Sequence, residues 1–231
     1  MTKVLITGVS SGIGLAQARL FLKHGCAVYG VDKSQAPQIQ DDNFHFLQLD
    51  LTTDLAALYD SVQDVDILCN TAGILDAYKP LLEVSDDELE RVFQTNFFAT
   101  VNYTPLLSQM VERQSGIIIN MCSIASFIAG GGGAAYTASK HALAGFTRQL
   151  ALDYAKDKIQ IFGIAPGAVK TAMTASDFEP GGLADWVAQE TPIGRWSNPE
   201  EIADLTEFLA SGKASSMQGE IIKIDGGWSL K

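Results

Sequence analysis

Short apolar runs alternate with longer stretches of helical periodicity along this chain. Seven runs are almost continuously apolar, at residues 4–7, 27–31, 44–49, 66–69, 116–122, 159–165 and 220–224. Continuous rather than alternating apolar character is typical of strands that are covered on both faces. The pattern therefore predicts seven strands of a parallel sheet that is buried between layers of helices.

Helical stretches are predicted between these strands, at about residues 12–24, 54–63, 86–113, 135–156 and 199–211. Ser85 followed by Glu88 has the spacing of a capping box, and Pro199 suits the first turn of a helix. Pro105 is expected to break or kink the third helix, because proline lacks the backbone donor that a helix interior needs. Strands that alternate with helices predict an α/β fold with a doubly wound parallel sheet, Rossmann-like, in a single domain over residues 1–231.

The least regular region of the sequence is residues 171–194, which contains Glu179-Pro180-Gly181-Gly182. It follows a predicted strand, where loops that cover ligands occur in this class of fold. We therefore expect a substrate-loop insertion here.

Composition narrows the possible partners and the compartment. The chain has 231 residues, of which 47% are hydrophobic, with a net charge of −11. This charge argues against a nucleic-acid partner, which requires a basic footprint. No apolar run approaches the roughly 20 residues of a membrane helix, and the three cysteines Cys26, Cys69 and Cys122 lie in or beside apolar runs. We expect no membrane association, reduced thiols and a cytoplasmic location.

The turn after the first predicted strand is rich in glycine. It reads Thr7-Gly8-Val9-Ser10-Ser11-Gly12-Ile13-Gly14, and a helix follows. Glycines let the backbone approach a pyrophosphate, and the helix N-terminus offers free N–H groups and a positive dipole end. A tight connection without a ligand is the alternative interpretation. Asp32, at the end of the second strand, lies where an acidic residue meets the adenosine ribose, which favours the nucleotide interpretation.

Tyr136 and Lys140 are one helical turn apart at the start of the fourth predicted helix, so both side chains can project into one site. A phenol titrates near pH 10, and a neighbouring ammonium favours the phenolate. This arrangement suits proton transfer. Tyr136 could instead begin the apolar stripe of its helix.

Ser123 ends the fifth strand. Its hydroxyl can donate to a substrate carbonyl oxygen there, or it can serve only as a turn or cap residue.

Taken together, these segments resemble the short-chain dehydrogenase/reductase family, and notably its branch of 3-oxoacyl-carrier-protein reductases. The resemblance extends over nearly the whole chain. It is carried by Thr7-Gly8-x-x-x-Gly12-Ile13-Gly14, Asn70-Thr71-Ala72-Gly73, Asn96, Ser123, Tyr136-x-x-x-Lys140, Pro166-Gly167 and the closing Asp225-Gly226-Gly227.

The resemblance implies a role for each matching residue. Tyr136 would donate or accept the proton, Lys140 would lower its pKa and hold the nicotinamide ribose, Ser123 would polarise the substrate oxygen, and Asn96 would hold a water in a proton relay. Asp50 would meet the adenine, Asn70, Ala72 and Gly73 would line the adenosine side, and Ile164, Pro166 and Thr171 would contact the nicotinamide. The full expected cofactor set is Gly8, Ser10, Ser11, Gly12, Ile13, Gly14, Asp32, Asp50, Leu51, Asn70, Ala72, Gly73, Tyr136, Lys140, Pro166, Gly167, Val169 and Thr171.

The sequence also departs from the family pattern. Thr71 stands where a second asparagine is usual, and Phe97-Phe98-Ala99 follows Asn96 where a glycine is usual. A run of four glycines, residues 130–133, precedes Tyr136, and it could widen the substrate pocket or form a flexible loop. The three histidines show no metal-ligand spacing, so no metal is expected.

The most favoured function is a hydride transfer between a nicotinamide cofactor and a carbonyl/alcohol pair on a small molecule, with a 3-oxoacyl compound as one candidate substrate. A catalytically silent NAD-binding sensor or scaffold is the alternative, and a sugar-nucleotide epimerase is disfavoured by the short chain.

We expect NAD(H) to be preferred over NADP(H), because Ser11 is neutral and the Asp32 carboxylate would repel a 2′-phosphate. Lys33 is the one neighbouring cation that could instead attract that phosphate. The resemblance also implies a homotetramer, or at least a homodimer.

Overall fold

The computed structural model describes residues 1–53 and 55–230, including every side chain among them except that of Thr104. The seven predicted strands are confirmed. They are β1 (Lys3–Thr7), β2 (Ala27–Asp32), β3 (Phe44–Gln48), β4 (Ile67–Asn70), β5 (Gly116–Met121), β6 (Ile159–Pro166) and β7 (Ile221–Ile224).

All neighbouring strands pair in parallel, in the order β3-β2-β1-β4-β5-β6-β7. The chain therefore builds outward from β1 to β3, crosses back, and continues from β4 to β7. This reversal opens a crevice at the carboxyl ends of β1 and β4, which is where open α/β sheets bind ligands. The doubly wound, Rossmann-like single domain predicted from the sequence is confirmed.

Eight α-helices flank the sheet in the described part of the chain. They are α1 (Gly12–Lys23), α2 (Ala56–Ser61), α3 (Asp86–Phe93), α4 (Ala99–Val101), α5 (Thr104–Arg113), α6 (Ala134–Tyr154), α7 (Ala184–Glu190) and α8 (Pro199–Ala210). The second helix is shorter than predicted, and Asp54, its expected first residue, lies outside the described residues.

The predicted third helix, residues 86–113, is in fact interrupted twice. A π-helical turn at Gln94–Phe98 separates α3 from α4, and a turn at residues 102–103 separates α4 from α5. Pro105 lies in the first turn of α5, so the expected break is confirmed and falls just before it. Only half of the predicted capping box forms: the Glu88 N–H donates to Ser85 Oγ at 3.2 Å, whereas the Glu88 carboxylate pairs with Lys79.

The core lies on both faces of the sheet, because side chains alternate along each strand. Val4 and Ile6 pack with α1 and α8 on one face, while Leu5 packs with α2 and α5 on the other. Within the described residues, no helix combines the length and the apolar character needed to cross a membrane.

Candidate active site

The glycine-rich turn after β1 is shaped by close backbone contacts. Gly8 and Gly12 have positive φ angles of 71° and 52°. A Cβ atom on Gly14 would lie 2.3 Å from the Gly8 carbonyl oxygen, so the start of α1 can pack on the turn only without a side chain there. Ser11 is the N-cap residue of α1, but its side chain makes no capping hydrogen bond. The first N–H groups of α1 thus lack a cap from this side chain, an arrangement that fits a pyrophosphate at the helix N-terminus.

Asp32 closes this turn from the end of β2. Its carboxylate accepts hydrogen bonds from the Ser10 N–H at 3.0 Å and the Ser34 N–H at 2.8 Å. The Leu49 N–H donates to the Asp32 carbonyl oxygen, which brings Asp50 beside it. Two predicted adenosine contacts, Asp32 and Asp50, therefore lie together at one corner of the sheet.

Asp50 is itself held by a local turn. The N–H and hydroxyl of Thr52 both donate to its carboxylate, and these bonds are the main reason that the Asp50 pKa lies below its usual value. The Lys33 ammonium also lowers the pKa of Asp50. Leu51, which follows Asp50 in the chain, is buried.

Thr71, the departure from the family pattern, has a specific partner in this chain. Its hydroxyl donates to Gln17 Oε1 at 2.7 Å, and the Gln17 side-chain amide donates to Thr206 Oγ1 at 2.9 Å. Gln17 and Thr206 are fully buried. The substitution therefore belongs to a buried polar chain that joins β4, α1 and α8.

The neighbours of Thr71 differ in where they lie. The side chain of Asn70 is turned into the sheet, where it donates to Asn120 Oδ1 at 2.8 Å, so only its backbone remains available for the predicted adenosine contact. The Ala72 N–H donates to Thr7 Oγ1, and a Cβ on Gly8 would lie 2.8 Å from Ala72 Cα. The turns after β1 and β4 are thus in contact across the crevice.

The segment after β6 closes the crevice from the other side. A Cβ on Gly12 would lie 3.1 Å from Thr171 Cγ2, and one on Gly167 would lie 2.8 Å from Asp225 Cα. Val169 forms a β-bridge with Ser197. Ile164, by contrast, has no exposed surface and belongs to the core beneath the site.

Tyr136 and Lys140 lie in the first two turns of α6, and both are buried. The Lys140 ammonium is 5.6 Å from the centroid of the Tyr136 ring, and it donates to the Met121 carbonyl oxygen at 2.7 Å. Burial raises the pKa of Tyr136 to about 12 and lowers that of Lys140 to about 8. The predicted pair is therefore brought together at the carboxyl end of β5.

Ser123 is the third member of this group. It is buried immediately after β5, and its Oγ accepts a hydrogen bond from the Ala125 N–H at 3.1 Å. The Ser123 side chain lowers the pKa of Tyr136, against the larger effect of burial. The two hydroxyl groups consequently face the same small volume.

Asn96 sits in the π-helical turn and is almost fully buried. Its side-chain amide forms a reciprocal pair with the backbone of Ile74, accepting from the N–H at 2.8 Å and donating to the carbonyl oxygen at 2.9 Å. It also lies 3.1 Å from Ser139 Oγ. A Cβ on Gly73 would lie 3.3 Å from Asn96 Oδ1 and 3.6 Å from Lys140 Nζ, so these residues meet at one point.

The four-glycine run before α6 packs against the site at two of its positions. A Cβ on Gly132 would lie 2.4 Å from Tyr136 Cδ1, and one on Gly133 would lie 2.7 Å from a carboxylate oxygen of Asp76. A Cβ on Gly130, in contrast, would meet nothing within 4 Å. Two of the glycines therefore allow close packing around the start of α6.

Asp76 is the site residue that the sequence analysis missed. It is 7% exposed, and its carboxylate accepts hydrogen bonds from the backbone N–H groups of Gly133 and Tyr136, at 2.6 and 2.9 Å. No local pattern reveals it, since its two partners at the start of α6 lie about 60 residues further along the chain.

The predicted substrate loop, residues 171–194, contains two helical segments, a 3₁₀ segment at Ala172–Phe178 and α7. The ring centroids of Phe178 and Trp196 lie 4.9 Å apart, and those of Trp186 and Trp228 lie 6.1 Å apart. Within the described ranges, no group of three or more His, Cys, Asp and Glu side chains is placed to hold a metal ion.

These features can be compared with known proteins. Residues 2–181 match the family model described as short chain dehydrogenase. This chain belongs to the short-chain dehydrogenase family. It is an enzyme of that oxidoreductase family, as the glycine turn and the Tyr136 neighbourhood suggested.

Relatives of known activity match almost the whole chain. A 3beta-hydroxysteroid dehydrogenase 2 from Eggerthella lenta is 34% identical, and the match covers 97% of this chain and 94% of that protein. A 3-oxoacyl-[acyl-carrier-protein] reductase from Chlamydia pneumoniae is 32% identical, with 97% and 96% covered. The resemblance to that branch is thereby supported at the level of sequence.

Solved structures of similar proteins extend the comparison to cofactors. A 4-hydroxyisoleucine dehydrogenase complexed with NADH superimposes with a TM-score of 0.94 at 30% identity, covering 100% of both chains. ElxO with NADP bound superimposes with a TM-score of 0.91 at 26% identity, covering 100% of this chain and 99% of that one. Short-chain dehydrogenases of this shape therefore bind either nicotinamide cofactor.

Proposed function

We propose that this chain is an NAD(H)-dependent oxidoreductase that moves a hydride between the nicotinamide and a carbonyl or secondary alcohol, with Tyr136 as the general acid/base. The observation that carries the proposal is the convergence of three buried side chains, Tyr136, Ser123 and Lys140, at the carboxyl end of β5 beside the glycine turn. When bound, the cofactor supplies the hydride chemistry, and the protein supplies orientation and the proton.

The proton is held on Tyr136. Burial keeps its phenol protonated at neutral pH, which suits donation to a carbonyl oxygen during reduction. Ser123, whose side chain acts on the phenol, would donate to the same substrate oxygen. In the oxidation direction the phenol must first lose its proton, and a charged Lys140 beside the ring would favour that loss.

The remaining residues bind and orient. We assign the pyrophosphate to the turn with Gly8, Ser10, Ser11, Gly12, Ile13 and Gly14. The adenosine is assigned to Asp32, Asp50, Leu51, Asn70, Ala72 and Gly73, and the nicotinamide half to Lys140, Pro166, Gly167, Val169 and Thr171. The Asn96 side chain is bonded to the backbone of Ile74. The water of the proposed proton relay would bind next to Asn96, in the π-helical turn. Such turns are frequent at functional sites.

NAD(H) preference is proposed from Asp32, Ser11 and Lys33. The Asp32 carboxylate already accepts two backbone hydrogen bonds that fix it at the ribose corner, and a 2′-phosphate there would face like charge. Ser11 offers no compensating cation. Lys33 is the neighbouring cation, and its charge contributes to the lowered pKa of Asp50.

The proposal extends to the substrate loop, the assembly and the compartment. The substrate is a small carbonyl or alcohol compound enclosed by residues 171–194, whose Phe178 and Trp186 offer apolar surface. The enzyme acts as a homotetramer or homodimer. The three free cysteines, two of them buried, suit a reducing compartment such as the cytoplasm.

The test is a panel of ketones and secondary alcohols assayed with NAD(H) and NADP(H) by absorbance. On a substrate that the wild type turns over, Tyr136→Phe should lower kcat by about 10²–10⁴, as expected for a lost acid/base group, and leave NADH binding nearly intact. Tyr154→Phe, at the far end of the same helix, is the matched control and should keep full activity. A Tyr136→Phe enzyme with normal turnover would contradict the mechanism, and NADH binding without turnover on any substrate would favour the sensor alternative.

A further inference from the structure

Asp76 lies in the loop that follows β4 and has an unusual set of hydrogen-bond partners for a buried carboxylate. One oxygen accepts from the Gly133 N–H at 2.6 Å and the Tyr78 N–H at 3.3 Å, and the other accepts from the Tyr136 N–H at 2.9 Å. All three donors are backbone groups. Asp76 forms no salt bridge within the described residues.

Two of these donors belong to the start of α6. The first N–H groups of a helix have no partner within the helix, and a side chain of the N-cap residue usually satisfies one of them. The N-cap of α6 is Gly133, which has no side chain. Asp76 supplies the missing acceptor from another part of the chain, and its negative charge is favourable at the positive end of the helix dipole.

The fit between Asp76 and α6 is close. A Cβ on Gly133 would lie within 2.9 Å of all three carboxylate heavy atoms of Asp76. A glycine at the N-cap is therefore what lets the carboxylate reach the helix. The buried carboxylate and the glycine form one contact, which fixes the position of the first turn.

We propose that Asp76 is a positioning residue for the hydride-transfer reaction: its carboxylate fixes the first turn of α6 and thereby holds the Tyr136 phenol against Ser123. The inference rests on the proposed function of Tyr136. It adds a residue that contacts neither the cofactor cradle nor the reacting atoms, and that acts through the backbone of the residue carrying the proton.

The same carboxylate contributes to the electrostatic surroundings of the phenol. The titratable groups that face Tyr136 are Asp76 and Tyr78 from the loop after β4, Cys122 from the end of β5, and Lys140 from its own helix. Asp76, Tyr78 and Cys122 each raise the pKa of Tyr136. Removal of the Asp76 charge should therefore lower the pKa of the phenol as well as loosen its position.

Asp76→Asn tests both effects, because it keeps the shape but replaces a carboxylate oxygen by an amide donor. We expect kcat to fall by about ten- to a hundred-fold, the scale of a small misplacement of a reacting group, with the KM for NADH nearly unchanged. The limb of the kcat–pH profile that belongs to Tyr136 should move to lower pH. Asp153→Asn, an exposed acid at the far end of α6, removes the same charge and should change neither quantity.

A second measurement keeps the inference testable if the variant folds poorly or the enzyme turns over no substrate in the panel. Amide hydrogen exchange at Gly133 and Tyr136 should be faster in Asp76→Asn than in the wild type, and unchanged in Asp153→Asn. Gly133→Ala, which would push the carboxylate away while keeping its charge, should also speed this exchange and lower kcat. Unchanged exchange in either of these two variants would overturn the contact. A loss of kcat without any movement of the pH limb would reduce Asp76 to a structural residue and overturn the proposal.

Discussion

The Lys140 ammonium donates a 2.7 Å hydrogen bond to the carbonyl oxygen of Met121, the last residue of β5. This bond ties the second turn of α6 to the edge of the sheet, one residue before Cys122 and two before Ser123. Because Lys140 is almost fully buried, its pKa falls from 10.5 to about 8. A lysine that would ordinarily stay charged therefore changes its charge close to neutral pH.

Lys140 should make cofactor binding dependent on pH. The side chain is mainly an ammonium below about pH 8 and mainly a neutral amine above it, and the charged form makes the stronger hydrogen bond to a ribose hydroxyl. We expect the Kd for NADH to rise as the pH increases through 8, measured by fluorescence titration. Lys140→Met should bind NADH weakly with no such rise, and a flat wild-type profile would contradict this assignment.

Cofactor preference should respond to two positions in the turn. The wild type should show a higher kcat/KM with NADH than with NADPH. Asp32→Ser should relax the preference because it removes the like charge, and adding Ser11→Arg should move it further toward NADPH by supplying a cation. If the unmodified enzyme favours NADPH tenfold, about 1.4 kcal/mol in transition-state binding, Lys33 outweighs Asp32.

Gly132 should tolerate no side chain. Gly132→Ala places a methyl group 2.4 Å from the Tyr136 ring, so the ring must move and kcat should fall by about tenfold or more. Gly145→Ala is the matched control in α6, where an added Cβ meets nothing within 4 Å. It should retain activity and gain roughly 0.5–1 kcal/mol in free energy of unfolding, because alanine is the better helix former. Equal activity of the two variants would refute the packing argument.

The Thr71–Gln17 bond should contribute to stability rather than to chemistry. Thr71→Val removes the hydroxyl and leaves the buried Gln17 Oε1 without its donor, which should cost about 1–3 kcal/mol in the free energy of unfolding. Thr71→Ser keeps the donor and should be much closer to the wild type in urea denaturation. Equal stability of the valine and serine variants would mean that the buried chain contributes little.

The oligomeric state should be measurable from the molar mass of the protein in solution. Phe98 in the π-helical turn, Leu152 on α6 and Phe208 on α8 are large apolar side chains that remain exposed in the single chain. Their burial between copies would stabilise a closed oligomer. Light scattering should give four, or at least two, times the chain mass of 24.8 kDa. Leu152→Glu should lower the assembled fraction, and a wild-type monomer at micromolar concentration would contradict the prediction.

The strands and their parallel pairing could be predicted because buried strands leave a local signature, a short continuous apolar run such as residues 159–165. The π-helical turn at Gln94–Phe98 could not, since no local pattern marks it and its Asn96 is bonded to Ile74, 22 residues earlier in the chain. The residue types at Tyr136, Lys140 and Ser123 pointed to a site because their spacing matched a helix and a strand end. The role of Asp76 could not be predicted, because the Gly133 and Tyr136 N–H groups approach its carboxylate only in the folded chain.

The buried bond between Gln17 and Thr206 joins residues 189 positions apart. Without α8, the Gln17 amide would have no acceptor in the core, and a buried amide without a partner is costly. An N-terminal fragment that ends before α8 should therefore be less stable around α1 than the same segment in the full chain. Contacts of such long range also slow folding. One buried polar contact thus couples the two ends of the chain energetically.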